Sequence, residues 1–169
     1  MQKLMTLLTR GDRKTQEAVI PVISGAALAS KRDFLPFMAA VLPLMKQLME
    51  QKNDDLRLLR GNATECVGLV ALAVGKSNFA PFVEGFMNMA LNSIKEVDKA
   101  EMREYTYRFF ENVATTLGED FAVFLPTVTP FLLHTITSDE VLQRVSRKTE
   151  FLFESDDDED DDFEEELDT

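Results

Sequence analysis

Three times the sequence sets a short polar residue before a Phe-x-x-Phe pair: Asp33-Phe34-Leu35-Pro36-Phe37, Asn78-Phe79-Ala80-Pro81-Phe82 and Asp120-Phe121-Ala122-Val123-Phe124. The leading phenylalanines are 45 and 42 residues apart. Arrays of two-helix repeats have periods of about 40–47 residues, so this spacing predicts successive layers of paired helices. The register extends further: nine residues after the first phenylalanine stand Pro43, Asn88 and Pro130. A segment rich in small residues precedes each anchor, over Thr15 to Ser30, Leu56 to Gly75 and Met102 to Gly118.

Each unit therefore reads as helix A, a tight turn and helix B. Gly75 and Gly118 stand where helix A must stop, because glycine accepts the left-handed backbone of a helix end. Asp33, Asn78 and Asp120 stand where side-chain caps for the free N–H groups of helix B belong, and Pro36 and Pro81 fit its first turn. In the second helix A, Leu56, Leu59, Ala63, Cys66, Val67 and Val70 recur at three- and four-residue steps, the stripe of an amphipathic helix. No period-two alternation stands out, so strands are not expected. The expected fold is an all-α, right-handed α-solenoid of antiparallel HEAT helix pairs, about three and a half repeats long. Its divisions would be a last helix of a preceding repeat at 1–10, repeats at 13–52, 54–96 and 98–137, a linker or partial helix at 138–153, and an acidic loop or tail at 154–169. A lone helix pair cannot cover both of its apolar flanks, whereas stacked pairs cover each other. The chain reads as a slice of a longer solenoid, or as a shortened one.

Charge separates the body from the end. The formal net charge is -12, with 30 acidic residues against 18 lysines and arginines. Twelve of those acids lie from Glu154 onward, where there is no lysine or arginine, leaving 18 against 18 in the rest. The strip comprises Glu154, Asp156, Asp157, Asp158, Glu159, Asp160, Asp161, Asp162, Glu164, Glu165, Glu166 and Asp168, and Ser155 within it resembles an acidophilic-kinase site. A polyanionic strip repels nucleic acid and anionic lipid and attracts basic proteins. No nucleic-acid partner is expected. The longest uncharged run, Phe121 to Ser138, contains Pro126 and Pro130 and falls short of the ~20 mostly apolar residues of a membrane span, so no membrane insertion is expected. Met1 to Lys14 is basic and amphipathic, as a mitochondrial presequence is, but Met1 to Thr9 reads instead as the last helix of a truncated preceding repeat.

Chemistry is poorly supplied. Cys66 is the only cysteine and His134 the only histidine, and they fall in different repeats, so no nucleophile pair or zinc set is formed. Cys66, on the apolar stripe, reads as a buried packing residue in a reducing compartment. Gly75-Lys76-Ser77 lacks the earlier glycine and the preceding strand of a phosphate-binding loop. Arg10-Gly11-Asp12 falls in an inter-repeat turn and Asn62-Ala63-Thr64 within a helix, where both read as chance matches. The acidic strip lacks the spaced ligands and glycine turn of an ordered calcium loop. The expectation is a non-enzyme with no cofactor and no metal.

Two features bear on binding. Phe34, Phe37, Phe79, Phe82, Phe121 and Phe124 follow each turn and read as inter-helix packing. Glu84, Asn88 and Asn92 form a polar ridge at i, i+4 and i+8 on the second helix B. In superhelices of this kind the B helices line the inner surface, where an Asn/Glu ridge can bond an extended peptide's backbone and pair with a lysine. The alternative is an ordinary solvated face.

The run Leu56-Arg57-Leu58-Leu59-Arg60-Gly61, through Thr64-Glu65-Cys66 to Leu72-Ala73-Val74-Gly75-Lys76, resembles the importin-β-3 branch of the importin-β family of karyopherins. Arg103-Glu104-Tyr105-Thr106-Tyr107-Arg108-Phe109-Phe110, then Leu117-Gly118-Glu119, is similar to the importin-four relatives, as is the acid run after Phe151-Leu152-Phe153. The likeness runs from about Thr15 to the acidic end. It implies a piece of a nuclear import receptor that shuttles between cytoplasm and nucleus. Basic cargo such as histones or ribosomal proteins, Ran-GTP and nucleoporins are the partners it implies, and the acidic strip matches a loop that contributes to Ran or cargo contacts in relatives. The N-terminal Ran-binding repeats and the long C-terminal arch of the family have no counterpart here. Two other functions fit the residues alone: a generic HEAT scaffold of a phosphatase or chromatin complex, and an acidic-tailed histone chaperone.

Overall fold

The computed structural model describes residues 1–96 and 99–138. The acidic strip, Ser155 and all but the first residue of the expected 138–153 linker lie outside the described residues. Seven α-helices and three 3-10 turns account for most of the remainder, and the described residues contain no strand.

Three helices repeat closely. α2 (Arg13–Ser30), α4 (Arg57–Val74) and α6 (Ala100–Leu117) each have 18 residues. They end alike, on Lys31, Gly75 and Gly118 at φ 52, 81 and 61, and the N–H of each returns to the carbonyl of Ala27, Ala71 or Ala114. α1 (Gln2–Arg10) precedes this series and packs on α2. α3 (Leu35–Met49) and α5 (Lys76–Glu96) are the intervening helices.

Caps follow a different rule from the one expected. Asp33 lies inside a 3-10 turn, Lys31–Phe34, and α3 starts without a side-chain cap. Asp120 likewise lies in the 3-10 segment Gly118–Phe124. α5 begins at Lys76, so Asn78 is already helical, and its amide donates to Val74 O at 2.8 Å, capping the end of α4 instead. Pro36 does occupy the first turn of α3, but Pro81 lies well inside α5. The physical reason is the turn. A positive-φ residue followed at once by a 3-10 turn or helix leaves no extended position from which a side chain reaches forward. A true side-chain N-cap occurs where the turn is extended: Asp12 accepts from Thr15 N at 2.8 Å at the start of α2. Hydrogen bonding to the Thr15 side chain, and then to its N–H, holds the Asp12 carboxyl below its usual range, and the cap gives the aspartate of the Arg10-Gly11-Asp12 triplet a structural role.

Met1–Ala122 form one compact unit, with α4 packed against both α2 and α6. Cys66 is fully buried beside Ser24 of α2, and burial pushes its thiol up to about 11, so it is protonated and not a nucleophile at neutral pH. Toward α6 the approach is close because α4 lacks side chains at two points. A Cβ on Gly61 would sit 2.3 Å from the Tyr105 ring, and one on Gly68 would sit 3.1 Å from Phe109 Cα. Ion pairs fix the stacking register: Arg57–Glu101 at 3.3 Å, Lys99–Asp54 at 2.9 Å, Arg108–Glu65 at 3.0 Å and Lys76–Asp120 at 2.6 Å. All four join residues 43–45 apart, as does the bond from Asn62 to Glu17 O. Water screens these exposed pairs and leaves each one weak, so they select the register more than they hold it. Core burial holds it, through Ile20, Phe34, Val67, Phe79, Met87 and Phe109 among others.

The second unit begins at Val123. Its described helix is α7 (Leu125–Ile136), with Pro126 in the first turn, Pro130 inside, Val128 buried and His134 exposed in the last turn. No helix among the described residues is long and apolar enough to cross a membrane, and they hold no cluster of three or more metal-ligating side chains.

Candidate functional site

α5 is the longest helix described, at 21 residues. Its buried face carries Phe79, Val83, Phe86, Met87, Ala90 and Leu91. Glu84, Asn88 and Asn92 all lie on the opposite, exposed side, one helical turn apart. With about 1.5 Å rise per residue they span roughly 12 Å. None of the three makes a side-chain hydrogen bond or ion pair with another described residue. The ridge read from the sequence is thus present as a free polar stripe.

The phenylalanine anchors divide into two kinds. Phe34, Phe79 and Phe121 are buried, as packing residues should be. Phe37 and Phe82 are 38% and 41% exposed, and Phe124 is half-buried. This corrects the expectation that all six serve only inter-helix packing. Phe82 leans on Phe79 (ring centroids 6.2 Å apart) while Phe79 stacks on Phe86 at 6.2 Å and 18°. One ring of the pair is core, and the other is a half-open lid beside it.

Phe82 lines a groove between α3 and α5. A cavity of about 350 Å³ there is bordered by Lys46, Glu50, Pro81, Phe82, Phe86 and Met89. A second cavity, of about 250 Å³, shares Glu50 and Met89 and is closed by Arg60, Asn92, Ser93 and Glu96. The last turn of the ridge therefore opens onto a groove with an apolar end and a polar end. The groove was not read from the sequence. Its signals were Pro81 and Phe82, taken for turn and core, and Arg60, a charge among the small and apolar residues of α4.

The tempting motifs are spent on structure. Lys76 of Gly75-Lys76-Ser77 pairs with Asp120 at the joint between two helices. Thr64 is fully buried within α4, and Asn62 donates to Glu17 O at 3.4 Å.

The comparison that decides the family covers almost the whole chain: residues 1–150 match the family model described as importin subunit beta-1-like, TPR repeats. The chain belongs to the importin-β family. It is 32% identical over 142 residues to the probable importin subunit beta-4 of Schizosaccharomyces pombe, covering 83% of this chain and 13% of that protein. Importin subunit beta-3 of Saccharomyces cerevisiae is 30% identical over 138 residues, with 80% and 13% covered. Mouse importin-4 is 25% identical over 125 residues, with 74% and 12% covered. Among solved structures, Kap121p bound to Ste12p and Kap121p bound to Nup53p each superpose with a TM-score of 0.72 at 26% identity, over 81% of this chain and 13% of theirs. The importin-β chain described here thus spans about an eighth of the length of these relatives. The all-α HEAT solenoid and the kinship with the beta-3 and importin-4 branch, both expected from the sequence, are what these matches show.

Proposed function

We propose that this stretch is a cargo-binding segment of a nuclear import receptor, taking a lysine-rich extended segment of a basic protein along α5. The observation that carries the reading is the free ridge of Glu84, Asn88 and Asn92 beside an open groove. Asparagine amides supply both donors and acceptors for a peptide backbone, and Glu84 supplies the charge for a lysine. The acidic strip from Glu154 to Asp168 adds long-range attraction that speeds encounter and weakens with salt. Kap121p is solved bound to Ste12p and bound to Nup53p, which supports a protein partner for this chain. Histones and ribosomal proteins have the complementary charge. Release on binding Ran-GTP and shuttling between cytoplasm and nucleus complete the reading, in which the chain is a non-catalytic binder.

The test is a pulldown and anisotropy titration with a lysine-rich peptide, with and without Ran-GTP. Glu84→Gln combined with Asn88→Ala and Asn92→Ala should weaken binding about tenfold, and raised salt should weaken it further. Equal binding by the triple variant would overturn the role of the ridge. The strip itself supports a second reading, an acidic chaperone for histones; it predicts that residues 154–169 alone hold histones as well as the whole chain does.

A further inference from the structure

Among the described residues, two buried side-chain polar atoms lack any hydrogen-bond partner: Arg60 Nε and Ser93 Oγ. They come from different helices, α4 and α5, yet line the same 250 Å³ cavity. Arg60 is 4% exposed and Ser93 6%. Most buried polar groups are paired, and a guanidinium in such a place ordinarily holds a carboxylate. Arg60 spends Nη1 on the backbone carbonyl of Gln51 at 2.9 Å. The cavity's own carboxylates are engaged elsewhere, Glu50 with Lys46 at 3.9 Å and Glu96 with Lys52 at 3.7 Å. Burial lowers the Arg60 pKa, while the charges of Glu96 and Asp54 oppose that shift. The guanidinium, which stays charged in proteins, is buried and without a carboxylate bonded to it.

We infer that this cavity is a carboxylate subsite, which takes the side chain of an aspartate or glutamate from a peptide lying along α5. The acceptor oxygens face the Arg60 guanidinium and the Ser93 hydroxyl, with the Asn92 amide at the mouth. Flexible Met49 and Met89, which also line the cavity, can shift to open the last path to the buried donors. A single negative charge matches the one guanidinium of the cavity that no carboxylate bonds. A phosphate dianion would face Glu50 and Glu96 with a charge left over. The adjoining cavity at Pro81, Phe82 and Phe86 takes an apolar side chain of the same segment, since the two cavities share Glu50 and Met89. The recognised segment would then be basic overall yet carry one acid near one large apolar residue. This rests on the reading above only in laying a peptide along α5.

The experiment uses the whole chain and labelled lysine-rich peptides with one phenylalanine, differing only in whether aspartate, asparagine or phosphoserine stands a few residues away. The aspartate peptide should bind about tenfold tighter than its asparagine twin, as a charge-assisted bond to arginine implies. Ser93→Ala should narrow that ratio to about threefold, and Arg60→Met should abolish it. NMR of the Arg60 Nε–H should shift with the aspartate peptide and not with the asparagine one, a readout that survives even if Arg60→Met does not fold. Equal affinity for the aspartate and asparagine peptides, with lysine dependence retained, would overturn the subsite and spare the cargo reading. Tighter binding of the phosphoserine peptide would overturn the choice of carboxylate. Failure of every peptide to bind would overturn both readings together.

Discussion

The layer formed by α2, α4 and α6 differs from the pair α3 and α5 in how strictly it repeats. In the first layer, length, ending and register recur, and the contact is close enough that Gly61 and Gly68 leave no room for a side chain. α3 and α5 differ in length, at 15 and 21 residues. They touch far less and leave a groove with a half-exposed phenylalanine and two buried donors unpaired. The contrast teaches where a stacked array spends its specificity. Repeat-to-repeat packing makes one layer rigid and periodic, which leaves beside the other a groove where a polar group from each layer stays unpaired.

The two phenylalanines of the second anchor give the largest expected difference. Phe79 has no exposed surface and stacks on Phe86, so Phe79→Ala should cost about 3–5 kcal/mol in urea unfolding followed by circular dichroism. Phe82 is 41% exposed, and Phe82→Ala should cost under about 1 kcal/mol while weakening any ligand of the groove. Similar losses from both would erase the distinction between core ring and groove ring.

Glycines sharpen the comparison on the other layer. Gly68→Ala brings a methyl to 3.1 Å from Phe109 Cα and 3.2 Å from Asn112 Cβ. The first of these is backbone and cannot rotate away, so destabilisation of about 1–3 kcal/mol follows. Gly25 is also helical, but nothing lies within 4 Å of its added Cβ. Gly25→Ala should stabilise the chain by roughly 0.5–1 kcal/mol through helix propensity alone. If both substitutions shift the unfolding midpoint the same way, α4 and α6 are not in the tight contact argued above.

The period, the absence of strands among the described residues, the A helices to within one or two residues and the burial of Cys66 were all legible, because each depends on local pattern. Caps were not. Asp33, Asn78 and Asp120 have the right residue type in the right neighbourhood, but the backbone geometry that makes a cap useful is set by how helix A ends. Of the site, the ridge of Glu84, Asn88 and Asn92 follows from helical spacing, and its exposure was a fair inference. The groove was illegible because it is an absence of packing between helices some 45 residues apart. Arg60 sat in plain view as a charge on an otherwise buried helix; only the tertiary arrangement set Ser93 beside it.

The smallest effect concerns the one place where the strict layer breaks its own sequence rule. Gly118 ends α6 at φ 61, ψ -129, and Lys31 ends α2 at nearly the same angles, φ 52, ψ -124. That region suits glycine, and a residue with a Cβ pays about 1–3 kcal/mol to occupy it. Lys31→Gly removes the strain but gives the unfolded chain more freedom, worth roughly 0.5–1 kcal/mol in the other direction. The net gain should be about 1 kcal/mol, read as a raised midpoint in thermal or urea unfolding. The reciprocal change, Gly118→Lys, should lower the midpoint by a comparable amount. If Lys31→Gly were neutral while Gly118→Lys were costly, the two helix ends would not be equivalent, and the periodic layer would begin only at α4.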